Sequence, residues 1–380
     1  MEQSLDWTRR EIWVRKLLYP GHTLPTAAAP LAVAAGLAAH DGVFAPVPAL
    51  LAFLAGWLVQ LGGVLTDNYE NLRREPDDRE HPELVRAVRS GLLGLGTLKA
   101  AIAGCYALAL AAGVVLVQQA GPVVIVIGLA SIAASWAYSA GPFPFGRHGV
   151  ADPVFFVFFG LVSVLGMYYV QAGAAPLAAF VLGLPVGALT TNILIVDDIR
   201  DREFDAVKGK RTVAVRFGAR ASRAEFLALL AFAYATPPWF WLGLGLGPAA
   251  LLPWLTLPFA LSTARDVVTR QRYEELLPTT PKAGRLLLAY SVLLGAGIAL
   301  AAPQARAQSG AEIIRSRCSS CHALSVRTVA APFKEIAAKY KAAAGAEEKL
   351  VGELREAKTH PQIQASDAEL KAAVQYVLRQ

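Results

Sequence analysis

Apolar stretches long enough to cross a lipid bilayer recur through the first 303 residues, and they constrain this chain more than any other feature. An α-helix needs about 17 to 25 apolar residues to cross roughly 30 Å of hydrocarbon. Stretches of this length are found at 23–40, 46–66, 95–118, 121–139, 152–171, 175–196, 224–244, 247–264 and 284–303. The sequence therefore predicts an all-α bundle of nine transmembrane helices over residues 23–303.

The charge distribution predicts the orientation of this bundle. Hydrophobic residues make up 55% of the chain and charged residues 17%, against about 25% charged residues in soluble domains. Every Lys and Arg of the first 303 residues falls on one side of the predicted bundle. By the positive-inside rule that side is the cytoplasm. We expect a multi-pass protein of the inner (cytoplasmic) membrane, with a cytoplasmic N-terminus and no nucleic-acid partner.

The two ends of the chain differ from the apolar part. Residues 1–22 are charged and amphipathic, which predicts an interfacial helix on the bilayer surface. After an odd number of spans, residues 304–310 form a predicted linker and residues 311–380 a small soluble domain on the periplasmic side. Ala305-Arg306-Ala307 has the form of a signal-peptidase site. An uncut fusion is the favoured interpretation, and release of the tail after Ala307 is the alternative.

Two clusters of carboxylates lie where the second and sixth predicted spans reach the cytoplasm. The first cluster begins at Asp67 and extends to Asp77. The second cluster consists of Asp197, Asp198, Asp201 and Asp205. On a continuous helix, three acids spaced four residues apart share one face, where their like charges repel unless a cation lies between them. The second cluster therefore predicts a bound cation.

Carboxylates on two facing helices indicate a Mg²⁺ site, because this ion takes oxygen ligands and is commonly completed by water and substrate phosphates. Lys210 and Arg211 follow the second cluster, and their charges can neutralise a diphosphate directly. Ordinary solvated charge at a helix end is the alternative interpretation, and we adopt it for Glu203.

The acid clusters, with segments 137–145, 159–162 and 209–216, resemble the UbiA superfamily of intramembrane aromatic prenyltransferases, and within it the menaquinone-pathway branch. The resemblance covers all nine predicted spans. It implies a bundle in which two aspartate motifs hold Mg²⁺ and a polyprenyl diphosphate. The polyprenyl group is then transferred to an aromatic quinone precursor, 1,4-dihydroxy-2-naphthoate or, alternatively, 4-hydroxybenzoate.

The resemblance also implies roles for individual residues. It implies catalytic roles for Asp67, Asn68, Asp201, Lys210 and Arg211. It implies substrate binding by Tyr138, Arg147, Asn192, Lys210 and Arg211. The Mg²⁺ ligands that it implies are Asp67, Asn71, Asp77, Asp197, Asp198, Asp201 and Asp205.

This chain departs from the family pattern in both motifs. Family members usually have Asn-Asp at the position of Asp67-Asn68, and often Asn-Asn at the position of Asp197-Asp198. The number of acids is roughly kept, so metal binding is still expected. An inactive bundle that serves only as a membrane anchor for the tail is the alternative.

The tail contains the C-x-x-C-H pattern of covalent haem c attachment, formed by Cys318, Cys321 and His322. In such sites two thiols bond to the haem and the histidine is an axial iron ligand. Haem c is attached outside the cytoplasm, the side on which the span count places the tail. A redox-active disulfide or a zinc half-site is the competing interpretation.

The surrounding tail sequence resembles a small class I cytochrome c. Two amphipathic segments follow the haem motif, and the final segment has an apolar stripe at helical spacing. Such cytochromes normally use a methionine as second axial ligand, but the chain's two methionines, Met1 and Met167, both precede the tail. His360 is therefore the predicted second ligand, and the alternative is a surface histidine with an iron that is five-coordinate or bound to Lys358. We expect an electron carrier with a quinone-linked redox partner.

Overall fold

The computed structural model describes residues 8–18, 23–74, 82–301, 313–314, 318, 322, 330–340, 345–356 and 367–378. All regular elements among these residues are helices, which confirms the predicted all-α fold class. The chain divides into two compact units, Met1–Ala302 and Pro303–Gln380.

The first unit is a bundle whose main helices we number in chain order. Their bounds are α1 Thr23–His40, α2 Pro46–Arg74, α3 Pro82–Arg89, α4 Leu95–Ala120, α5 Val123–Ala137, α6 Ala151–Ala172, α7 Leu177–Val207, α8 Val213–Phe217, α9 Ala219–Leu242, α10 Leu257–Thr269 and α11 Tyr273–Leu300. Helical turns also cover Arg9–Glu11, Ile12–Leu18, Phe145–Arg147 and Pro248–Thr256.

Six of the described helices are long and apolar enough to cross a membrane, namely α1, α2, α4, α6, α7 and α11. The fourth predicted span corresponds to α5, which is apolar but has 15 residues. The seventh and eighth predicted spans fall on α9 and on Pro248–Thr256 with α10. Helix α9 begins with Arg220, Arg223 and Glu225, and α10 has 13 residues, so neither is among the six. The first unit is a multi-pass membrane bundle, and its count of nine spans stays a prediction.

Burial distinguishes the central helix of the bundle from the peripheral helices. Of the most apolar part of α7, 89% is buried inside the protein, whereas the corresponding fraction of α4 is 17%. A membrane helix that is covered on all sides by protein can carry polar residues that a lipid-facing helix cannot. The polar residues of α7 are accordingly surrounded by protein side chains and not by lipid.

Glycine permits the close packing that holds α7 in the centre. A Cβ atom on Gly160 of α6 would lie 2.5 Å from the Cα of Gly187 on α7. A Cβ atom on Gly36 of α1 would lie 2.2 Å from the carbonyl oxygen of Gly295 on α11. Small residues let membrane helices approach closely enough for extensive dispersion contacts. A larger side chain at the crossing of Gly160 and Gly187 would displace α7, which carries the second acid cluster.

The N-terminal segment packs against the bundle. Ile12 and Leu17 are 2% and 0% exposed, and they share an apolar cluster with Leu65 of α2 and with Leu84 of α3. The apolar face of this predicted interfacial helix is therefore covered by protein.

The second unit contains three described helices, α12 Phe333–Tyr340, α13 Ala346–Glu356 and α14 Asp367–Leu378. Its core contains Ile313, Ile314, Cys318, Phe333, Ala373 and Val377. The predicted apolar stripe of the last helix is buried, with Leu370 at 2% and Val374 at 4% exposure. A small helical core therefore forms around the first cysteine of the C-x-x-C-H pattern.

Candidate active site

The first acid cluster lies on the last turns of α2, where Asp67 faces the loop that follows α5. Ser139 Oγ donates a hydrogen bond to Asp67 Oδ1 at 2.5 Å, and Asn71 Nδ2 donates to Asp67 Oδ2 at 3.2 Å. The Nδ2 of Asn68 instead donates to Val64 O of its own helix at 2.9 Å. The structure thus brings Asp67 and Asn71 together with a serine that sequence reasoning missed.

Glu70 is a second buried acid of α2 that sequence reasoning missed. Its carboxylate forms ion pairs with Arg73 at 2.7 Å and with Arg74 at 2.9 Å. Arg74 also donates to Ser139 O at 3.1 Å. An acid followed by bases three and four positions later is the available sequence signal for such pairing on a helix. The predicted ligand Asp77 lies outside the described residues.

Within the second cluster, Arg200 lies between Asp197 and Asp201. Its Nη1 is 2.5 Å from Asp197 Oδ1, and its Nη2 is 2.5 Å from Asp201 Oδ2. Thr280 of α11 donates to Asp197 Oδ1 at 2.6 Å and accepts from Arg200 Nη1 at 3.1 Å. The guanidinium also lies over the ring of Tyr273, 5.8 Å from its centroid. This group of contacts, the Arg200 latch, joins α7 to α11.

Asp205 is paired with a different cation. Lys210 Nζ lies 2.7 Å from Asp205 Oδ1, and Lys210 N donates to Asp205 O at 2.9 Å. The backbone can turn back toward Asp205 after the end of α7 because Gly209 adopts a φ of +69°, a conformation that favours glycine. The turn after α7 therefore places the ammonium group directly beside the buried carboxylate.

A small cleft lies beside the first acid cluster and reaches Lys210, the ion-pair partner of Asp205. It is lined by Asp67, Asn71, Arg74, Tyr138, Ser139, Gly146, Arg147 and Lys210. Arg147 Nη2 donates to Lys208 O, and Arg211 N donates to Arg147 O at 2.8 Å. Three cationic side chains and one carboxylate therefore line a single cavity. This combination suits a phosphate ligand that is bound together with a divalent cation.

Tyr138 occupies a fixed position in the cleft. Its ring packs against Phe145 and Phe155, with centroid distances of 5.5 and 5.6 Å. A Cβ atom on Gly146 would lie 2.8 Å from Tyr138 O, so the loop needs glycine there. Tyr138 therefore lines the cleft together with Asp67 and Lys210, and its substrate-binding role stays a prediction.

Asn192 and Asp152 are buried polar side chains that lack hydrogen-bond partners within the described part of the chain. Asn192 of α7 is 2% exposed and neither of its amide atoms is paired, while Asp152 of α6 is 6% exposed and its Oδ1 is unpaired. A buried polar group without a partner costs about 1–3 kcal/mol. Asn192 was predicted to bind substrate. Asp152 was missed, although a single acid at the start of an apolar run was a visible signal.

Bound Mg²⁺ fits the acids of this site. Across residues 23–74 and 82–301, no three His, Cys, Asp or Glu side chains converge closely enough to enclose a metal ion. Mg²⁺ does not require such a cage, because it usually binds one or two carboxylates and takes its other oxygens from water and phosphate. The carboxylates beside the cleft suit an ion that is shared with a diphosphate.

In the second unit, His322 is held in a defined orientation. Its Nδ1 lies 2.6 Å from Ala331 O, and its ring stacks on Phe333 at a centroid distance of 5.2 Å. His322 N donates to Cys318 O at 2.9 Å, which places the two motif residues on one turn. Cys321 and His360 lie outside the described residues.

Comparison with known proteins identifies the family of the first unit. Residues 27–279 match the UbiA prenyltransferase family. The 1,4-dihydroxy-2-naphthoate octaprenyltransferase of Mycobacterium tuberculosis is 32% identical over 287 residues, which cover 73% of this chain and 94% of that protein. The Escherichia coli enzyme of the same name is 30% identical, covering 60% of this chain and 75% of that protein.

Solved structures agree at the level of the fold. A UbiA homologue from Aeropyrum pernix has a TM-score of 0.54 at 20% identity and covers 73% of this chain and 96% of its own. A UbiA homologue from Archaeoglobus fulgidus, bound to DMAPP and Mg²⁺, has a TM-score of 0.53 at 16% identity. The match covers 73% of this chain and 97% of that homologue. With the family match over most of the first unit, this chain belongs to the UbiA prenyltransferase family and is a membrane prenyltransferase.

Proposed function

We propose that the first unit transfers a polyprenyl group from polyprenyl diphosphate to 1,4-dihydroxy-2-naphthoate in a Mg²⁺-dependent reaction. The cleft between α2 and α7 carries this proposal, because it combines the carboxylate of Asp67 with the cations of Arg147 and Lys210. The names of the bacterial relatives support the choice of acceptor.

The arrangement of charges accounts for how the reaction is accelerated. The bond between the allylic carbon and the diphosphate oxygen breaks, and its electron pair leaves with the diphosphate. Lys210, Arg147 and Arg211 neutralise the negative charge that develops on this leaving group. Asp67 and acids of α7 would hold Mg²⁺, which would supply further Lewis-acid stabilisation. A ring carbon of the acceptor then bonds to the allylic carbon and loses a proton.

The acceptor and donor are tested with the purified full-length protein. We expect product from 1,4-dihydroxy-2-naphthoate and a polyprenyl diphosphate when Mg²⁺ is present, and loss of product on chelation. Mass spectrometry identifies the product and, across donors of different length, the preferred chain. Product formed from 4-hydroxybenzoate instead would contradict the proposed acceptor. Absence of any transfer would favour the inactive-anchor alternative.

For the second unit we propose a covalently bound haem c that makes the tail an electron carrier. The orientation of His322 supports this function, because a carbonyl partner on Nδ1 fixes the ring in the way that is typical of metal-binding histidines. The iron would be held by His322 and His360, with Cys318 and Cys321 bonded to the porphyrin. Haem that stays with the protein after denaturing electrophoresis is the expected result. No covalent haem in cells that mature c-type cytochromes would contradict this function.

The proposed topology places the acid clusters in the cytoplasm and the tail in the periplasm of an inner-membrane protein. A haem domain on that side would exchange electrons with a quinone-linked partner. An antibody against the tail is expected to detect the full-length protein in the membrane fraction. A smaller, soluble periplasmic product would instead indicate cleavage after Ala307.

A further inference from the structure

Gln60 of α2 is a polar side chain in the apolar part of the bundle, and half of its amide group has no partner. Its Nε2 donates a hydrogen bond to Thr26 Oγ1 of α1, and this hydroxyl in turn donates to Thr23 O at 2.9 Å. Because the Thr26 hydrogen is used in this way, the amide nitrogen of Gln60 has to face Thr26. The Oε1 atom of Gln60 is buried and accepts no hydrogen bond within the described part of the chain.

Trp57 presents a second unpaired polar atom on the same helix. Its Nε1 is buried and has no acceptor among the residues that the structure describes. Trp57 precedes Gln60 by three residues, so the two side chains are neighbours on the helix surface. The Trp57 ring lies nearly parallel to the ring of Phe53, at a centroid distance of 6.3 Å and an angle of 12°. One hydrogen-bond acceptor and one donor are therefore left unsatisfied beside an aromatic pair.

The contacts of neighbouring positions show that this side of α2 faces the interior of the bundle. A Cβ atom on Gly56 would lie 3.5 Å from Met167 Cε of α6. A Cβ atom on Gly63 would lie 2.5 Å from Ser135 Oγ of α5. Gln60 lies between these glycines in the chain, and its amide bonds to α1. Protein helices therefore surround the Gln60 amide.

Gln60 also lies in line with Asp67, the acid that lines the cleft. Residues seven apart share one side of a helix, and at 1.5 Å per residue they are separated by about 10 Å along its axis. Helix α7 carries a comparable amide, because Asn192, with both amide atoms unpaired among the described residues, precedes Asp197 by about 7.5 Å of helix. Each helix with an acid cluster therefore has an unsatisfied amide farther into the bundle.

The chemistry of the two substrates decides which of them can satisfy these atoms. A polyprenyl tail is a hydrocarbon and forms no hydrogen bonds. The aromatic acceptor carries at least one hydroxyl on a rigid ring, and a reacting ring carbon must come within about 3–3.5 Å of the allylic carbon. With the diphosphate at the cations of the cleft, the ring then lies farther into the bundle, in the direction of Gln60. A hydroxyl donates one hydrogen bond and also accepts, so a single hydroxyl can satisfy both unpaired atoms.

We propose that Gln60 and Trp57 bind a ring hydroxyl of the aromatic acceptor and thereby select a hydroxylated ring. Gln60 Oε1 accepts the hydrogen of this hydroxyl, and Trp57 Nε1 donates to its oxygen. The inference rests on the proposed function for the identity of the ligand. Buried polar groups that are built to bond a substrate hydroxyl discriminate against an analogue without it, because they are then left unpaired. Both residues therefore act on the affinity for the acceptor and not on the donor.

The test measures equilibrium binding of two ligands to the purified full-length protein in detergent, without donor and without turnover. The ligands are 1,4-dihydroxy-2-naphthoate, kept reduced, and 2-naphthoate, which has the same rings and carboxylate but no hydroxyl. Gln60→Met keeps the length of the side chain and should weaken binding of the dihydroxy ligand by about tenfold. Its affinity for 2-naphthoate should stay within about twofold of wild type. Trp57→Phe keeps an aromatic ring and should show the same selectivity with a smaller loss, about threefold.

Two variants at exposed positions make the same replacements elsewhere. Gln118→Met at the end of α4 and Trp239→Phe on α9 should bind both ligands within about twofold of wild type. The melting midpoint of each variant shows whether it is folded. Unchanged affinity of Gln60→Met for both ligands would indicate that a buried water satisfies these atoms, and it would overturn the inference. An equal loss for both ligands, or no binding of either ligand to the wild type, would overturn it as well.

The binding test and the transfer assay fail separately. Absence of prenyl transfer would contradict the proposed function and would leave the preference for the hydroxylated ligand measurable. Transfer to 4-hydroxybenzoate would contradict the proposed acceptor, and the comparison is then made between 4-hydroxybenzoate and benzoate. Transfer to 1,4-dihydroxy-2-naphthoate with an unchanged Michaelis constant for this acceptor in Gln60→Met would support the proposed function and overturn the inference.

Discussion

Asp67 on α2 is compensated differently from Asp201 and Asp205 on α7. The hydrogen-bond donors to Asp67 on α2 are the neutral groups of Ser139 and Asn71. Asp201 and Asp205 on α7 are instead paired with Arg200 and Lys210 at 2.5 to 2.7 Å. Neutral donors orient a carboxylate and leave its charge in place, whereas a close cation orients the carboxylate and also neutralises its charge. The negative charge of Asp67 is therefore available to a metal ion, whereas the charges of Asp201 and Asp205 are already neutralised by protein cations.

The largest expected effect comes from removing a cation on the α7 side. Lys210→Met leaves the Asp205 carboxylate buried without its ion-pair partner, which costs about 3–5 kcal/mol when a buried pair is broken. Thermal unfolding in detergent measures this loss. The double variant Asp205→Asn with Lys210→Met should regain much of the stability, since no charge is then left unpaired. An unchanged melting midpoint in the single variant would show that the pair is not buried in solution.

On the α2 side the expected effect is on catalysis and not on stability. Asp67→Asn keeps the shape of the side chain and removes the charge that we propose binds Mg²⁺. The rate of prenyl transfer should fall by about 100-fold or more, with little change in the melting midpoint. Product formation followed across Mg²⁺ concentrations measures the effect. A rate within about tenfold of wild type would remove Asp67 from the proposed metal site.

A smaller effect is expected when only the orientation of Asp67 is changed. Ser139→Ala removes the hydroxyl donor at 2.5 Å and leaves the carboxylate in place. A hydrogen bond to a charged group contributes about 1.5–3 kcal/mol, so the rate should fall by about tenfold or more. Steady-state kinetics at saturating donor measure this change. Ser131→Ala, which removes a hydroxyl bonded within its own helix, is the matched control.

The smallest effect is expected at the latch between α7 and α11. Thr280→Val keeps the volume of the side chain and removes two hydrogen bonds, the one donated to Asp197 and the one accepted from Arg200. The ion pairs of Arg200 with Asp197 and Asp201 are retained. Stability should fall by about 1 kcal/mol, because Arg200 still compensates Asp197. Thermal unfolding in detergent measures the loss. An unchanged melting midpoint would show that the Thr280 hydroxyl does not stabilise the contact between α7 and α11.

The tail offers a prediction of its own. If His360 is the second axial ligand of the haem, replacing it by methionine should raise the reduction potential, because methionine ligation favours the reduced iron. Redox titration of the purified protein measures the change. An unchanged potential would exclude His360 as a ligand.

Much of the fold followed from the sequence, since the length of an apolar run and the spacing of polar residues are local properties. The helical class, the membrane bundle and the compact helical tail were predicted on these grounds. Asp67, Tyr138, Arg147 and Lys210 line one cleft, and the roles implied for them stay predictions. The contributions of Ser139 and Glu70 were not foreseen, because they depend on which loop or side chain covers the end of α2.

The sequence by itself determined which residues lie on a common side of each helix and where the two acid clusters begin. Helical periodicity contains that information, because it depends only on the residues of one element. Only the tertiary structure decided that Thr280 of α11 bonds to Asp197 and Arg200, and that Ser139 of the loop after α5 bonds to Asp67. Those contacts join residues distant in the chain, and they depend on how closely the helices cross, as at Gly160 on Gly187. A hydrogen-bond partner on a neighbouring helix or loop is not specified by any spacing within one segment.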